Sequence, residues 1–203
     1  EEAGKALVDF LGSCAKDENS KKVSIMALRS LLSCARTGGE EAAKALIDIL
    51  GPLTKDQDLN VRLQVCESLA SCASTAGEEA AKSLIDILAP LTKDEDEDVQ
   101  TKAFQALESC ASTAGEEAAK SLIDILAPLT KDEDEDVRED AFRSLQSCAG
   151  AASEEAAKAL IAFFGPLTKD GDPNVQRRAF KSLESCASAA GEEAAKAVID
   201  ILG

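Results

Sequence analysis

The chain repeats itself. Ser71–Val99, reading SCASTAGEEAAKSLIDILAPLTKDEDEDV, recurs without change at Ser109–Val137, a shift of 38 residues. The string Glu-Glu-Ala-Ala-Lys starts at Glu40, Glu78, Glu116, Glu154 and Glu192, again 38 apart. A fixed period of between about 20 and 50 residues marks an array in which each unit buries its apolar face against the next. The period divides the 203 residues into repeats at 1–38, 39–76, 77–114, 115–152 and 153–190 with a half-repeat at 191–203, read as one domain. The first unit carries one extra residue, because Lys16 aligns with Lys55 at a shift of 39 while Val23 aligns with Val61 at 38. A loop absorbs such an insertion cheaply.

Each unit predicts two helices. In the third, Ala80, Ala81, Leu84, Ile85, Ile87, Leu88 and Leu91 fall at helical spacing and form the apolar face of a first helix. Pro90 falls in its last turn and should bend or end it. The run Lys93-Asp94-Glu95-Asp96 is the turn, and Asp96 is the expected N-cap of the second helix. In the fifth unit the equivalent Asp172 is followed by Pro173, a residue suited to the first helical position, and in the first unit Ser20 stands there. The second helix places Val99, Ala103, Leu107, Cys110 and Ala111 on one face, with Phe104 and Ala106 beside them. Gly115, replaced by Ser153 in the fifth unit, marks the turn into the next first helix. Composition agrees: 45% of residues are hydrophobic but only 3% aromatic, with no Trp or Tyr, which suits thin all-α layers of small side chains.

These residues carry a resemblance. Asp134-Glu135-Asp136-Val137-Arg138, followed by Ala141 and Leu145, resembles the D-x-x-V-R-x-x-A-x-x-x-L signature of HEAT repeats, and Pro52, Pro90, Pro128 and Pro166 resemble the proline of the HEAT first helix. The resemblance spans the whole chain. It implies an all-α, right-handed α-α superhelix, a solenoid of five helix-turn-helix repeats of about 38 residues plus a C-terminal half-repeat. It implies also that the second helices line the concave side and that the common role is protein binding. Armadillo repeats are related but use a third short helix, for which 38 residues leave little room. One departure is that the arginine after valine recurs only as Arg62 and Arg138, with Ser24, Gln100 and Gln176 replacing it, so a continuous Asp–Arg ladder is not expected.

Charge narrows the partners. The balance of 22 Lys+Arg against 38 Asp+Glu gives a net −16. That opposes nucleic acid and anionic membranes, both of which need cationic neutralisation, and favours a basic protein, or a basic extended or helical peptide. No apolar run approaches the roughly 20 residues that span a bilayer. The start, Glu1-Glu2-Ala3-Gly4, has neither a basic nor an apolar leader region, so a cytoplasmic protein is expected.

The groups that suggest chemistry read better as structure, and neither metal nor cofactor is expected. Cys34, Cys72, Cys110, Cys148 and Cys186 share one repeat position. Stacked equivalent helices lie about 9–10 Å apart, too far for a disulfide, which needs Cα atoms within about 7 Å, or for a shared zinc. Cys66 takes the place of a later phenylalanine and Cys14 that of Leu53, so both are expected to pack. The acidic turns at Asp94–Asp98 and Asp132–Asp136 invite calcium, but an EF-hand needs Gly sixth and Glu twelfth, where these turns have Val99 and Gln105, and Val137 and Arg143. The Asp170–Asn174 turn departs in the same way, with Val175 and Lys181. Helix capping is the better use of these carboxylates. There is no histidine and no nucleophile elbow, phosphate loop or dinucleotide fingerprint, so the chain is read as non-enzymatic. The family resemblance carries one enzymatic alternative, a chromophore lyase, which the lack of Tyr, Trp and His opposes.

Function is expected where the units differ. First helices barely change, whereas three positions of the second helix vary. One runs Ile25, Leu63, Thr101, Glu139, Arg177; the next Met26, Gln64, Lys102, Asp140, Arg178; a third Arg29, Glu67, Gln105, Arg143, Lys181. All lie away from the Val/Ala/Leu stripe and are expected to be exposed. With Leu32 they grade from apolar through acidic to basic, a pattern suited to recognising an extended peptide or a helix. The competing reading is a structural spacer or engineered, consensus-like array whose solvent-facing positions vary without a ligand. Ile25, Met26 and Leu32 have a reading of their own, packing against upstream repeats.

Overall fold

In the computed structural model, residues 26–30, 33, 39–73, 77–111, 116–151, 154–189 and 191–202 are described. They are almost wholly helical, and among them there is no β-strand. The helices are α1 (Gly39–Leu50), α2 (Leu59–Ala73), α3 (Glu78–Leu88), α4 (Glu97–Ala111), α5 (Glu116–Leu129), α6 (Glu135–Ala151), α7 (Glu154–Leu167), α8 (Pro173–Ala189) and α9 (Gly191–Leu202). Short 3₁₀ turns follow α1 at Gly51–Lys55 and α3 at Ala89–Lys93, and residues 26–30 are helical. Expected first and second helices therefore alternate from Gly39 to Ala189, and α9 follows. The extra residue between Lys16 and Val23, the cap Ser20, and Cys14, Ile25, Leu32, Cys34, Gly115 and Ser153 lie outside the described residues.

The chain divides into two compact units, Glu1–Thr113 and Ala114–Gly203. In the first, α3 stacks on α1 and α4 on α2, first helix against first and second against second. Its core is the expected pair of stripes, Leu46, Leu50, Leu84 and Leu88 against Val65, Leu69, Val99 and Leu107, all fully buried. The second unit repeats the arrangement, α7 on α5, α9 on α7 and α8 on α6. Here Phe164 fills the core, stacked on Phe142 at 6.4 Å between centroids and edge-on to Phe163 at 5.1 Å. Burying each such Leu or Phe stabilises the fold by about 1.5–3 kcal/mol.

Proline ends the first helices as expected. Pro52 and Pro90 lie at the start of their 3₁₀ turns, while Pro128 and Pro166 fall within the last turn of α5 and α7. The chain tightens at all four places. Asp56, Asp94, Asp132 and Asp170 donate their amides to the carbonyls three residues back, Leu53, Leu91, Leu129 and Leu167, at 3.1–3.2 Å. A threonine completes each turn: the hydroxyls of Thr54, Thr92, Thr130 and Thr168 bond the carbonyls of Gly51, Ala89, Ala127 and Gly165 at 2.7–2.8 Å. The acidic turns then cap the second helices. Asp96 Oδ1 accepts the amides of Asp98 at 3.0 Å and Val99 at 3.4 Å, and Asp134 does the same for Asp136 and Val137. Asp172 caps α8 through Asn174, with Pro173 as the first helical residue. Between α8 and α9 the chain turns through Gly191, whose φ of +82° only glycine adopts without strain.

Cys66, Cys72, Cys110, Cys148 and Cys186 are buried thiols. Burial pushes the thiols of Cys66 and Cys72 up to about 12 and that of Cys186 up to about 11, so each stays a neutral apolar group. This is the packing role expected of them.

Candidate binding face

A clamp sets each second helix. The residue after the valine reaches back across the cap and donates to a turn carbonyl: Arg62 Nη1 to Asp56 at 2.9 Å, Gln100 Nε2 to Asp94 at 2.6 Å, Arg138 Nη1 to Asp132 at 2.8 Å and Gln176 Nε2 to Asp170 at 2.5 Å. Glutamine thus keeps the bond within the repeat. What it lacks is the second half of the fork that Arg62 makes. Arg62 Nη2 bonds Asp94 Oδ1 of the following repeat at 3.0 Å, and Nε lies 3.0 Å from Oδ2. Both side chains are about nine-tenths buried, and the Asp94 carboxylate holds the guanidinium more firmly protonated than usual. Lys44 bridges two first helices, 3.2 Å from Glu40 and 3.3 Å from Glu79, above a shallow open depression lined by Ile47, Asp48, Ala80 and Ser83. These two carboxylates raise its pKa, the bond to Glu40 most.

The three variable positions do not behave alike. Glu67, Thr101, Gln105, Glu139, Arg143, Arg177 and Lys181 are exposed as expected, as are Met26 and Arg29. Leu63 is half-buried. The middle position departs from the expectation: Gln64 is buried, and Lys102, Asp140 and Arg178 are half-buried. The reason is stacking. At Gln64, Lys102 and Arg178 this position leans toward the second helix of the preceding repeat, where it meets one of the outer two variable positions. In the first unit Arg29 Nε donates to Gln64 Oε1 at 3.3 Å, Gln64 Nε2 to Glu67 Oε2 at 3.2 Å, and Lys102 Nζ lies 3.3 Å from Glu67 Oε1. In the second, Arg178 pairs with Glu139 at 3.3 Å and stands 5.8 Å over the Phe142 ring, while Arg143 pairs with Asp140 at 2.9 Å. Much of the variation therefore serves contacts between neighbouring repeats. An isolated helical wheel does not reveal this; the alternation of Glu67 with Lys102 and of Glu139 with Arg178 one repeat apart was the available signal.

The residues left facing solvent form a narrower surface on each unit. In the first unit it runs over Leu63, Glu67, Thr101 and Gln105 on α2 and α4. In the second it runs over Glu139, Arg143, Arg177 and Lys181 on α6 and α8, with Arg177 also bonded to Asn174 at 3.2 Å. Exposed positions on the first helices hardly change, as in Asp48, Asp86 and Asp124. Among the described residues no three metal-ligating side chains converge, and no helix is long and apolar enough to cross a membrane.

The family model described as HEAT repeats matches residues 50–146. No curated protein matches the chain. Among solved structures, one engineered protein is 28% identical with a TM-score of 0.63, over 97% of this chain and 85% of that one. Another is 30% identical with a TM-score of 0.61, over 96% and 86%. A designed armadillo repeat protein in complex with the peptide (KR)4 is 22% identical with a TM-score of 0.61, over 97% and 87%, a likeness of fold alone.

Proposed function

Since the chain is a HEAT/armadillo-like helical repeat protein, we propose that it is a non-enzymatic scaffold that binds a protein or peptide along the exposed variable residues of its second helices. The observation that carries this reading is the contrast between faces. First-helix surfaces repeat almost unchanged, while Leu63, Thr101, Gln105, Glu139, Arg143, Arg177 and Lys181 differ from unit to unit and are not wholly taken up by repeat–repeat pairs. Leu63 supplies an apolar contact, and the charges set register and association rate. The net charge of −16 steers basic partners toward the chain, and a related designed array is seen with a basic peptide.

A displayed random-peptide library selected on the immobilised chain tests this. Enriched sequences should lose binding when Leu63 and Thr101 are both changed to Glu, and keep it when Asp86 on the first-helix face is changed to Lys. Enrichment indifferent to the first pair refutes the face. A second reading has its own support: the 29-residue block that recurs unchanged, and the likeness to engineered proteins, suit a structural array with no natural ligand. Absence of any enrichment favours it.

A further inference from the structure

The turn of the fifth repeat differs from the others in one residue. Asp56, Asp94, Asp132 and Asp170 share a position, and the residues that follow them are Gln57, Glu95, Glu133 and Gly171. Asp-Gly occurs at no other place in the chain, and Asn-Gly at none. The backbone does not require glycine here. Gly171 lacks the positive φ of Gly191, and a Cβ built on it would meet nothing within 4 Å. Gly171 is exposed, as are its counterparts Gln57, Glu95 and Glu133 within the array, so the exposure belongs to the turn and not to the end of the array. Among the described residues its amide has no hydrogen-bond acceptor.

Asp170, by contrast, is held at three atoms. Its amide donates to the Leu167 carbonyl at 3.2 Å, its Oδ1 accepts the Asp172 amide at 2.9 Å, and its carbonyl accepts Gln176 Nε2 at 2.5 Å. Asp56 and Asp94 make bonds of the same three kinds and are extended, with ψ of 144° and 153°. In that conformation the next amide nitrogen is turned away from the aspartate side-chain carbon. Rotation about the Asp170 Cα–C bond brings the two together, and it also swings the Asp170 carbonyl off Gln176.

We propose that Asp170–Gly171 is a site of spontaneous modification, where aspartate closes to a succinimide and reopens as isoaspartate, and that the Gln176 clamp restrains the reaction. The Gly171 nitrogen bonds to the carboxyl carbon of Asp170, and its proton leaves with the carboxyl hydroxyl as one water. A water molecule then adds to the ring. Cleavage of the bond from nitrogen to the side-chain carbonyl returns aspartate. Cleavage of the bond to the former main-chain carbonyl gives isoaspartate, so water is the only reagent. A side chain on the following residue obstructs the nitrogen and narrows the rotation, which is why the turn with Gly171 is singled out. In the product the chain runs through the side-chain carbon, one methylene longer, with a free carboxylate where Gln176 had a carbonyl. Asp172 loses the Oδ1 that accepted its amide, so both bonds at the foot of α8 are remade. The site involves neither Leu63 nor Thr101, and its test is separate from theirs.

The full chain is aged at body temperature and near-neutral pH, then digested, and its turn peptides are compared by chromatography and mass spectrometry. The peptide holding Asp170 should accumulate an isomer of unchanged mass and shifted retention, with a minor form lighter by one water. That isomer should exceed any from Asp132–Glu133 several-fold. Gly171→Gln, which places the residue of the second turn in open space, should abolish it with helical circular dichroism unchanged. Gln176→Ala should speed it several-fold. Gln100→Ala, which removes the same clamp from the Asp94–Glu95 turn, should yield no isomer there. An Asp170 peptide no more isomerised than the Asp132 peptide overturns the proposal. So does indifference to Gly171→Gln or Gln176→Ala, or an Asp94 isomer that Gln100→Ala releases.

Discussion

Arg62 allows one interaction to be removed without its neighbour. Its fork makes two kinds of contact: Nη1 donates to the Asp56 carbonyl within the repeat, and Nη2 donates to the Asp94 carboxylate of the next, with Nε in ion-pair distance of the other oxygen. Gln100 and Gln176 show that glutamine at this position still reaches the turn carbonyl. Arg62→Gln should therefore delete the ion pair and spare the clamp, whereas Arg62→Ala deletes both. The pair is buried, with side-chain exposures of 8% and 10%. Opposite charges about 4 Å apart attract by about 4 kcal/mol at an effective dielectric near 20, and desolvation offsets part of this. Asp94 is not stranded by the change, because its Oδ1 also accepts the amide of Asp96 at 3.1 Å. The expected loss is about 2–3 kcal/mol for Arg62→Gln, with about 1 kcal/mol more for Arg62→Ala. Urea unfolding followed by far-ultraviolet circular dichroism measures both, with the m-value checked for constancy. Asp94→Asn should resemble Arg62→Gln, and the double variant should be far from additive. The reasoning is refuted if Arg62→Gln lies within about 0.5 kcal/mol of the parent, or if the Gln and Ala variants are equally stable.

Three further changes separate burial from mere position. Phe142→Ala, which empties a stacked and cation-covered site, should lower stability by about 3–5 kcal/mol, while Phe180→Ala should lower it by less than about 1 kcal/mol; thermal melts of the two variants compare them directly. Asp96→Ala removes the cap of α4 and should lower stability by about 1 kcal/mol, with Asp96→Asn restoring most of it in the same urea titration. Burial lifts the Cys72 thiol from 9.0 to about 12, so at pH 8 iodoacetamide should label it only after unfolding. The folded thiol keeps a proton that the unfolded one loses, so this contribution is intact below pH 9 and falls as pH rises toward 12. Cys72→Ala should flatten the alkaline decline, and an unchanged slope would deny the burial.

The local structure was legible because each element announces itself in its own residues. Pro52 and Pro90 stop their first helices, Asp96 and Asp134 accept the amides their spacing offers, and Val99, Ala103 and Leu107 fall on one stripe whatever lies opposite. The threonine of each turn escaped notice because Thr54 and Thr92 are buried without belonging to either apolar stripe. Gln64 escaped for a different reason. A helical wheel places it at the edge of the Val61 and Val65 stripe, and only the stacking of α2 with its neighbours decides that this edge is covered rather than solvated. Glutamine in place of arginine at positions 100 and 176 looked like the loss of a motif. It keeps the bond within the repeat that Arg62 and Arg138 both make, and gives up the contact that Arg62 alone carries across to the next.

In an array of this kind a side chain's role is set by its repeat position and also by whether a neighbour covers it. Met26 and Gln64 hold one position, yet Met26 is 60% exposed and Gln64 is buried; Phe142 and Phe180 hold another and diverge in the same way. Variation between repeats therefore mixes two signals. Changes at Gln64, Lys102 and Arg178 track the residue opposite on the adjoining helix, and so report pairing. Changes at Thr101 and Gln105, which project to solvent, follow no such pairing among the described residues. A recognition surface must be sought in this second set. That is why the face proposed for binding is narrower than the full set of variable positions, and why its decisive substitutions are Leu63 and Thr101 rather than the paired charges.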